Sequence, residues 1–224
     1  QAIFAGRPPS AFPDSWTTTS QEAHHWRRLG RDWGLPDDAV WYGHLALDIT
    51  PVGGIDDMDP LAAAPRVESQ RLRLLALVVN DIDSLSHASR LGFGGMHDDV
   101  RRWAATGRLR RTLSGLLDRG FTIYLAADHG SVEAIGAGQP QEGTLVEQRA
   151  LRARIYTDAA FAAPIPKAHP HAVLWSPVGL PRGLHVLVAA EHTAFAPVHE
   201  VVIAHGGISL EEVVVPFVRI GSAT

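Results

Sequence analysis

The sequence contains no cysteine, a single lysine and no apolar run long enough to cross a bilayer, which takes about 20 residues. The absence of cysteine excludes a disulfide framework and any metal site built from thiolates. It also fits a reducing compartment, so we expect a cytoplasmic protein with no membrane partner. The net charge of −4 gives no general attraction to nucleic acid or to an anionic surface.

The length of 224 residues and the hydrophobic content of 46% suit one domain with a sizeable core. We therefore expect residues 1–224 to form a single domain. The chain begins QAIFAGR, without an initiator methionine and without the layout of a signal peptide. This start predicts that the sequence is a fragment of a larger chain.

Two apolar segments and the residues between them predict a βαβ unit. Residues 72–79 and 121–127 are near-continuous apolar runs, which are typical of strands covered on both faces. Between them, residues 98–119 place apolar side chains every three or four positions, which predicts one helix ending at Gly120. The two strands are then expected to be parallel, with a right-handed crossover.

The other segments predict one early helix and several later strands. Residues 20–33 predict a helix with Ser20 as its cap, and the stretch from residue 61 to about residue 70 fits either a short helix or a linker. Further strands are predicted over residues 150–157, 172–175, 184–190, 200–204 and 213–220. The predicted fold class is therefore α/β, with a mixed, mostly parallel sheet flanked by helices.

Three polar clusters directly follow predicted strands. They read NDIDSLSH at 80–87, DHG at 128–130 and HGG at 205–207. Ligands of open α/β sheets bind outside the carboxyl ends of the strands, so these clusters can converge. Carboxylate and imidazole groups are usual ligands of zinc and manganese. The four-residue spacing of Asp83 and His87 puts both on one face if the chain turns helical there.

Each cluster alone also fits a plainer explanation. Asp-His-Gly and His-Gly-Gly are common in capped turns, and an aspartate four residues before a histidine is common on helix surfaces. The occurrence of all three clusters at strand ends of one α/β chain favours a functional site.

Taken together, the segments at 80–87, 128–136 (DHGSVEAIG) and 205–216 (HGGISLEEVVVP) resemble the PglZ domain of the alkaline phosphatase superfamily. The resemblance covers most of the chain, and the last segment is the most specific. It implies an alkaline-phosphatase-like fold and two divalent metal sites, which we expect to hold Zn, with Mn or Mg as alternatives. It assigns Asp83, His87 and His205 to one metal, and Asp128 and His129 to the second.

The resemblance further implies a serine or threonine nucleophile on the second metal. In the family this residue and another metal-binding aspartate precede all the motifs above, so we expect both upstream of Gln1, together with the first strands of the fold. On this prediction the chain is truncated and, alone, binds one metal better than two and is a poor catalyst. Arg149 and Arg152, in QRALR, resemble the arginine-bearing segment of the family and are expected to hold a substrate phosphate.

PglZ-like proteins occur in bacterial anti-phage systems of the BREX and phage-growth-limitation types. The resemblance therefore implies a metal-dependent phosphoesterase, with phosphodiesters favoured, that acts in defence. Its expected partners are a phosphate-ester substrate, with nucleic acid or a nucleotide as candidates, and other defence proteins. The alternative is a catalytically reduced domain that serves as a scaffold or nucleic-acid contact. A phosphomutase-like enzyme is a third hypothesis, which rests on superfamily membership alone.

Overall fold

The computed structural model describes residues 2–45, 69–88, 92–140, 146–176 and 178–221, with the backbone alone for residues 87, 88 and 146–149. Its helices are α1 (Ala2–Ala5), α2 (Glu22–Asp32), α3 (Asp81–Ala88), α4 (Gly92–Ala105), α5 (Arg108–Asp118), α6 (Ala159–Ala162), α7 (Ile165–Ala168) and α8 (Leu210–Val213). Its strands are β1 (Val40–His44), β2 (Leu74–Val78), β3 (Ile123–Ala126), β4 (Val132–Gly136), β5 (Val146–Arg149), β6 (Ala153–Tyr156), β7 (Ala172–Trp175), β8 (His185–Ala189), β9 (Thr193–Ala194), β10 (Val201–Ala204) and β11 (Phe217–Ile220). The α/β class is confirmed. No helix within the described ranges is long and apolar enough to span a bilayer.

The described strands form four small sheets, in the orders β1-β2, β10-β4-β9, β11-β3 and β5-β6-β8-β7. Only the β1-β2 and β4-β9 pairs are parallel, and the other five described pairs are antiparallel. The prediction of a mostly parallel sheet is therefore not confirmed. The two strands of the predicted βαβ unit lie in different sheets among the described strands, since β2 pairs with β1 and β3 pairs with β11.

The predicted helix over residues 98–119 is two helices in the structure. The break falls at Gly107, which has a φ of +68° in the left-handed region that favours glycine. The second helix, α5, ends as expected at Gly120, where the N–H groups of Gly120 and Phe121 donate to the carbonyls of Leu117 and Leu116. These two bonds form a Schellman motif, which reverses the chain into β3.

Two other boundaries differ from the predictions. Helix α2 begins at Glu22, its N-cap residue is Gln21, and no side chain caps it. The prediction that Ser20 caps this helix is therefore wrong. The strand predicted over residues 213–220 begins only at Phe217, because Val213 belongs to α8. Glu212, three residues after Ser209, accepts the Ser209 N–H and thereby favours a helical turn over an extended start.

The core consists of several clusters that lie between the sheets and the helices. The largest contains Tyr156, Leu187 and Phe195, which pack between the four-stranded sheet and α6. Leu116 of α5 packs against Leu75 and Ile123, so this helix covers both β2 and β3. Helix α5 thus holds together two strands that do not pair with each other, and the polar clusters of the sequence follow both of these strands.

Candidate metal centre

The polar clusters that follow β2, β3 and β10 converge in the structure. Asp83 lies in the first turn of α3, His129 follows β3 and His205 follows β10. One ligand atom from each of these three side chains lies within 4.8 Å of the other two. Asp83 is exposed and both histidines are half-buried, so solvent reaches the cluster. The sequence prediction that these residues come together is therefore consistent with the fold.

The two imidazole rings lie face to face. The ring centroids of His129 and His205 are 3.8 Å apart, and the ring planes are 12° from parallel. The Nδ1 atom of His129 is 3.0 Å from the carbonyl oxygen of Gly130. A proton on Nδ1 would be donated to this carbonyl and would leave the Nε2 lone pair for a cation, which is the usual arrangement around metal-binding histidines.

Asp128 lies beside this cluster but is not one of its three members. Its Oδ1 accepts the backbone N–H of His129 at 3.1 Å, and the same oxygen is 3.7 Å from His129 Nε2. The Asp128 side chain is 77% exposed. The Asp128 carboxylate is therefore open to solvent next to His129.

The other predicted site residues are placed only in part. His87 lies on α3, one turn after Asp83, so the condition under which their spacing puts both residues on one helix face is met. The side chains of His87 and Arg149 lie outside the described part of the structure. Asp81, at the start of the same helix, accepts the Trp103 indole N–H at 2.9 Å.

Arg152 is not at an open phosphate-binding surface. Its side chain is 1% exposed, and its Nε and Nη2 atoms donate to Oε1 and Oε2 of Glu212 at 3.1 and 2.9 Å. Its Nη1 donates to the Thr193 carbonyl. These contacts occupy the planar fork that would bind a phosphate, so the structure gives no support to the phosphate role predicted for Arg152.

Glu212 is the residue of this region that the sequence reasoning did not single out. Its buried carboxylate accepts the N–H groups of Gly207 at 2.7 Å and Ser209 at 3.1 Å, besides the Arg152 guanidinium. Burial raises the pKa of Glu212, but the hydrogen bonds from Arg152, Gly207 and Ser209 outweigh it and hold the pKa below its ordinary value. The spacing of Ser209 and Glu212 is that of a capping box and was the available signal in the sequence.

The donor chemistry of the cluster fits a divalent cation. One carboxylate and two imidazoles are the usual protein ligands of a catalytic zinc, which keeps a further position open.

Two comparisons with known proteins found similar chains. A sequence model of the BREX system PglZ alkaline phosphatase-like domain matches residues 48–220. Among solved structures, the fold is similar to human ectonucleotide pyrophosphatase/phosphodiesterase 5, with a TM-score of 0.51 and 13% sequence identity. The alignment covers 88% of this chain and 63% of the human protein, so the chain spans less than two thirds of that relative's length. At this identity the similarity shows a shared fold alone. A search of curated proteins gave no match.

Proposed function

The chain belongs to the family of BREX system PglZ alkaline phosphatase-like domains, and we propose that it is a divalent-metal-dependent phosphoesterase that acts on phosphodiesters. The observation that carries this proposal is the convergence of Asp83, His129 and His205 within 4.8 Å of one another. Strands of three different sheets deliver these side chains to one point, which chance surface polarity does not explain. The choice of phosphodiesters over monoesters is part of the proposal; the human structural relative, which shares the fold, is named a pyrophosphatase/phosphodiesterase.

We assign two cation sites to this centre. Asp83 and His205, with His87, are the ligands of one site, and Asp128 and His129 are ligands of the second. The support is the ring stacking, since rings 3.8 Å apart can each hold a cation at the ~4 Å separation of two-metal phosphoesterases. Zn²⁺ is our first choice because the ligands mix imidazole with carboxylate, and Mn²⁺ or Mg²⁺ are alternatives.

Bound divalent ions would supply charge stabilisation for the attacking and leaving oxygens of a phosphoryl transfer. The residues of this chain hold and orient the ligand atoms. The carbonyl oxygen of Gly130 would accept a proton on Nδ1 of His129, which leaves Nε2 to bind a cation. Asp128 fixes the turn that carries His129 by accepting its backbone N–H. The serine or threonine nucleophile expected upstream of Gln1 stays a prediction, as do the missing first strands.

The proposed partners follow from the family. Other proteins of the BREX defence system are the expected protein partners, and nucleic acid or a nucleotide is the expected source of the phosphodiester. The alternative of a catalytically reduced scaffold makes a different prediction for the same variants, so one experiment separates the two functions.

The test is turnover of a chromogenic phosphodiester by the intact protein, with divalent metal removed by a chelator and then restored. His205→Ala and Asp128→Ala should each lower turnover by at least about a hundredfold, because each removes a ligand. His171→Ala is the control, since this exposed histidine lies outside the cluster and should leave turnover unchanged. Full phage defence in cells by both ligand variants would overturn the catalytic proposal in favour of a scaffold.

A further inference from the structure

We propose that Glu212, held by Arg152, is the positioning residue that sets the His129 and His205 loops against each other; the inference rests on the proposed metal-binding function. Neither residue is a ligand. Both are buried behind the cluster, at 2% and 1% exposure. Their role would be to fix the backbone on which the two stacked imidazoles are mounted.

The side chain of Glu212 holds the His205 loop. Gly207, two residues after His205, donates its N–H to Oε1 at 2.7 Å, and Ser209 donates to Oε2 at 3.1 Å. A Cβ on Gly207 would lie 2.6 Å from Oε2 and 2.9 Å from Nη2 of Arg152, so the loop lies directly against the ion pair. Gly206, with a φ of +100°, supplies the turn that this close approach requires.

The backbone at Glu212 holds the His129 loop. Gly130, the residue after His129, donates its N–H to the Glu212 carbonyl oxygen at 2.8 Å. A Cβ on Gly130 would lie 1.9 Å from the carbonyl oxygen of Glu211, so the two backbones touch. Glu212 therefore contacts both histidine loops. Its carboxylate binds the His205 loop, and its backbone carbonyl binds the His129 loop.

Arg152 ties this residue to the rest of the fold. Its guanidinium donates to both Glu212 oxygens and to the carbonyl of Thr193 in β9. Its own carbonyl accepts the N–H of Ala189, the last residue of β8. The pair thus links α8 to two different sheets. A buried ion pair gains little net stability over apolar side chains, whereas its fixed geometry suits a role in specifying position.

Two double variants of the intact protein separate positioning from charge burial. R152M/E212Q and R152M/E212M are both uncharged and similar in size, but only the glutamine keeps an oxygen that can accept the Gly207 N–H. We expect R152M/E212Q to keep the Zn²⁺ affinity of the parent within about fivefold. We expect R152M/E212M to lose at least about tenfold, as when the groups that orient metal ligands are removed.

Isothermal calorimetry with Zn²⁺ alone gives the affinity, and the visible absorption of Co²⁺ reports a change in ligand geometry. The destabilised control is Leu187→Ala, which opens the core of the four-stranded sheet without touching either histidine loop. The control should unfold at a lower temperature yet bind Zn²⁺ like the parent. Equal Zn²⁺ affinity in the two double variants, or an equal loss in the control, would overturn the positioning role.

Hydrogen exchange keeps the inference testable even if a double variant does not fold. In the unsubstituted, metal-free protein, peptides covering residues 128–131 and 205–209 should contain slowly exchanging amides, because Gly130 and Gly207 donate to Glu212. Exchange of both peptides at the rate of a free loop would overturn the positioning role. Failure of the parent to bind Zn²⁺ would instead overturn the proposed function, while exchange would still decide the positioning role.

Discussion

Replacement of Gly130 by alanine tests the closest backbone contact of the candidate centre. The added Cβ would lie 1.9 Å from the Glu211 carbonyl oxygen, whereas real Cβ atoms essentially never approach closer than 3.0 Å, so the two backbones must separate by about 1.1 Å. Because the Gly130 N–H bond to Glu212 is 2.8 Å long, such a shift takes it out of hydrogen-bonding range.

The expected cost combines two effects. Overpacking costs about 1–3 kcal/mol, and the lost hydrogen bond about 1 kcal/mol more. A loss of about 2–4 kcal/mol corresponds to a melting temperature lower by roughly 5–15 °C in a chain of this size. The same shift moves the neighbouring His129, so we also expect Zn²⁺ affinity to fall by at least about tenfold.

Thermal unfolding and Zn²⁺ calorimetry measure both effects. Gly94→Ala is the matched control, because Gly94 lies within α4 and a Cβ there would meet nothing within 4 Å. Because Gly94 lies in the first turn of α4, alanine there should stabilise the protein by at most about 1 kcal/mol. A Gly130→Ala protein that melts with the parent and binds Zn²⁺ as tightly would refute the reasoning.

Two further predictions concern titrating groups. The pKa of Glu212 is held below its ordinary value of 4.5. Its ionised carboxylate therefore stabilises the fold fully above that pH, and this contribution is lost as the pH falls through the folded-state pKa. Urea unfolding from pH 7 to pH 3 should show a smaller loss of unfolding free energy for R152M/E212Q than for the parent. Burial and the hydrogen bond to Glu22 raise the pKa of Tyr42. Tyr42→Phe should therefore lower the free energy of unfolding by about 1–3 kcal/mol, because it removes the hydrogen bond to Glu22. Tyr124→Phe, at an exposed tyrosine, should change it by no more than about 0.5 kcal/mol. Equal effects of the two substitutions would contradict a stabilising role for the Tyr42 hydrogen bond.

Local features of the fold follow from the sequence because their causes are local. Apolar runs place β2 and β3 within two residues of the predicted ends, and Gly120 ends α5 where a left-handed residue is needed. Asp83 and His87 share a helix, so their four-residue spacing puts both on one face. The break at Gly107 is also local, but a glycine within a periodic apolar pattern fits a continuous helix equally well.

Strand pairing and the role of Arg152 could not be predicted from the sequence, because both depend on residues that are distant along the chain. β3 pairs with β11, which lies more than ninety residues later in the chain, and nothing in either strand alone selects that partner. Arg152 finds its carboxylate 60 residues away in α8. An arginine beside a strand end fits a phosphate contact as well as a buried ion pair, until the position of Glu212 is known.

The sheet arrangement explains why the candidate centre needs a positioning element. Asp83, His129 and His205 follow β2, β3 and β10, which belong to three separate sheets among the described strands. Strand hydrogen bonds therefore do not fix the three side chains relative to one another, as they would at the edge of one continuous sheet. The contacts that do so lie between loops, and Glu212 makes one to each histidine loop. Loss of these contacts should accordingly weaken metal binding before it unfolds any single sheet.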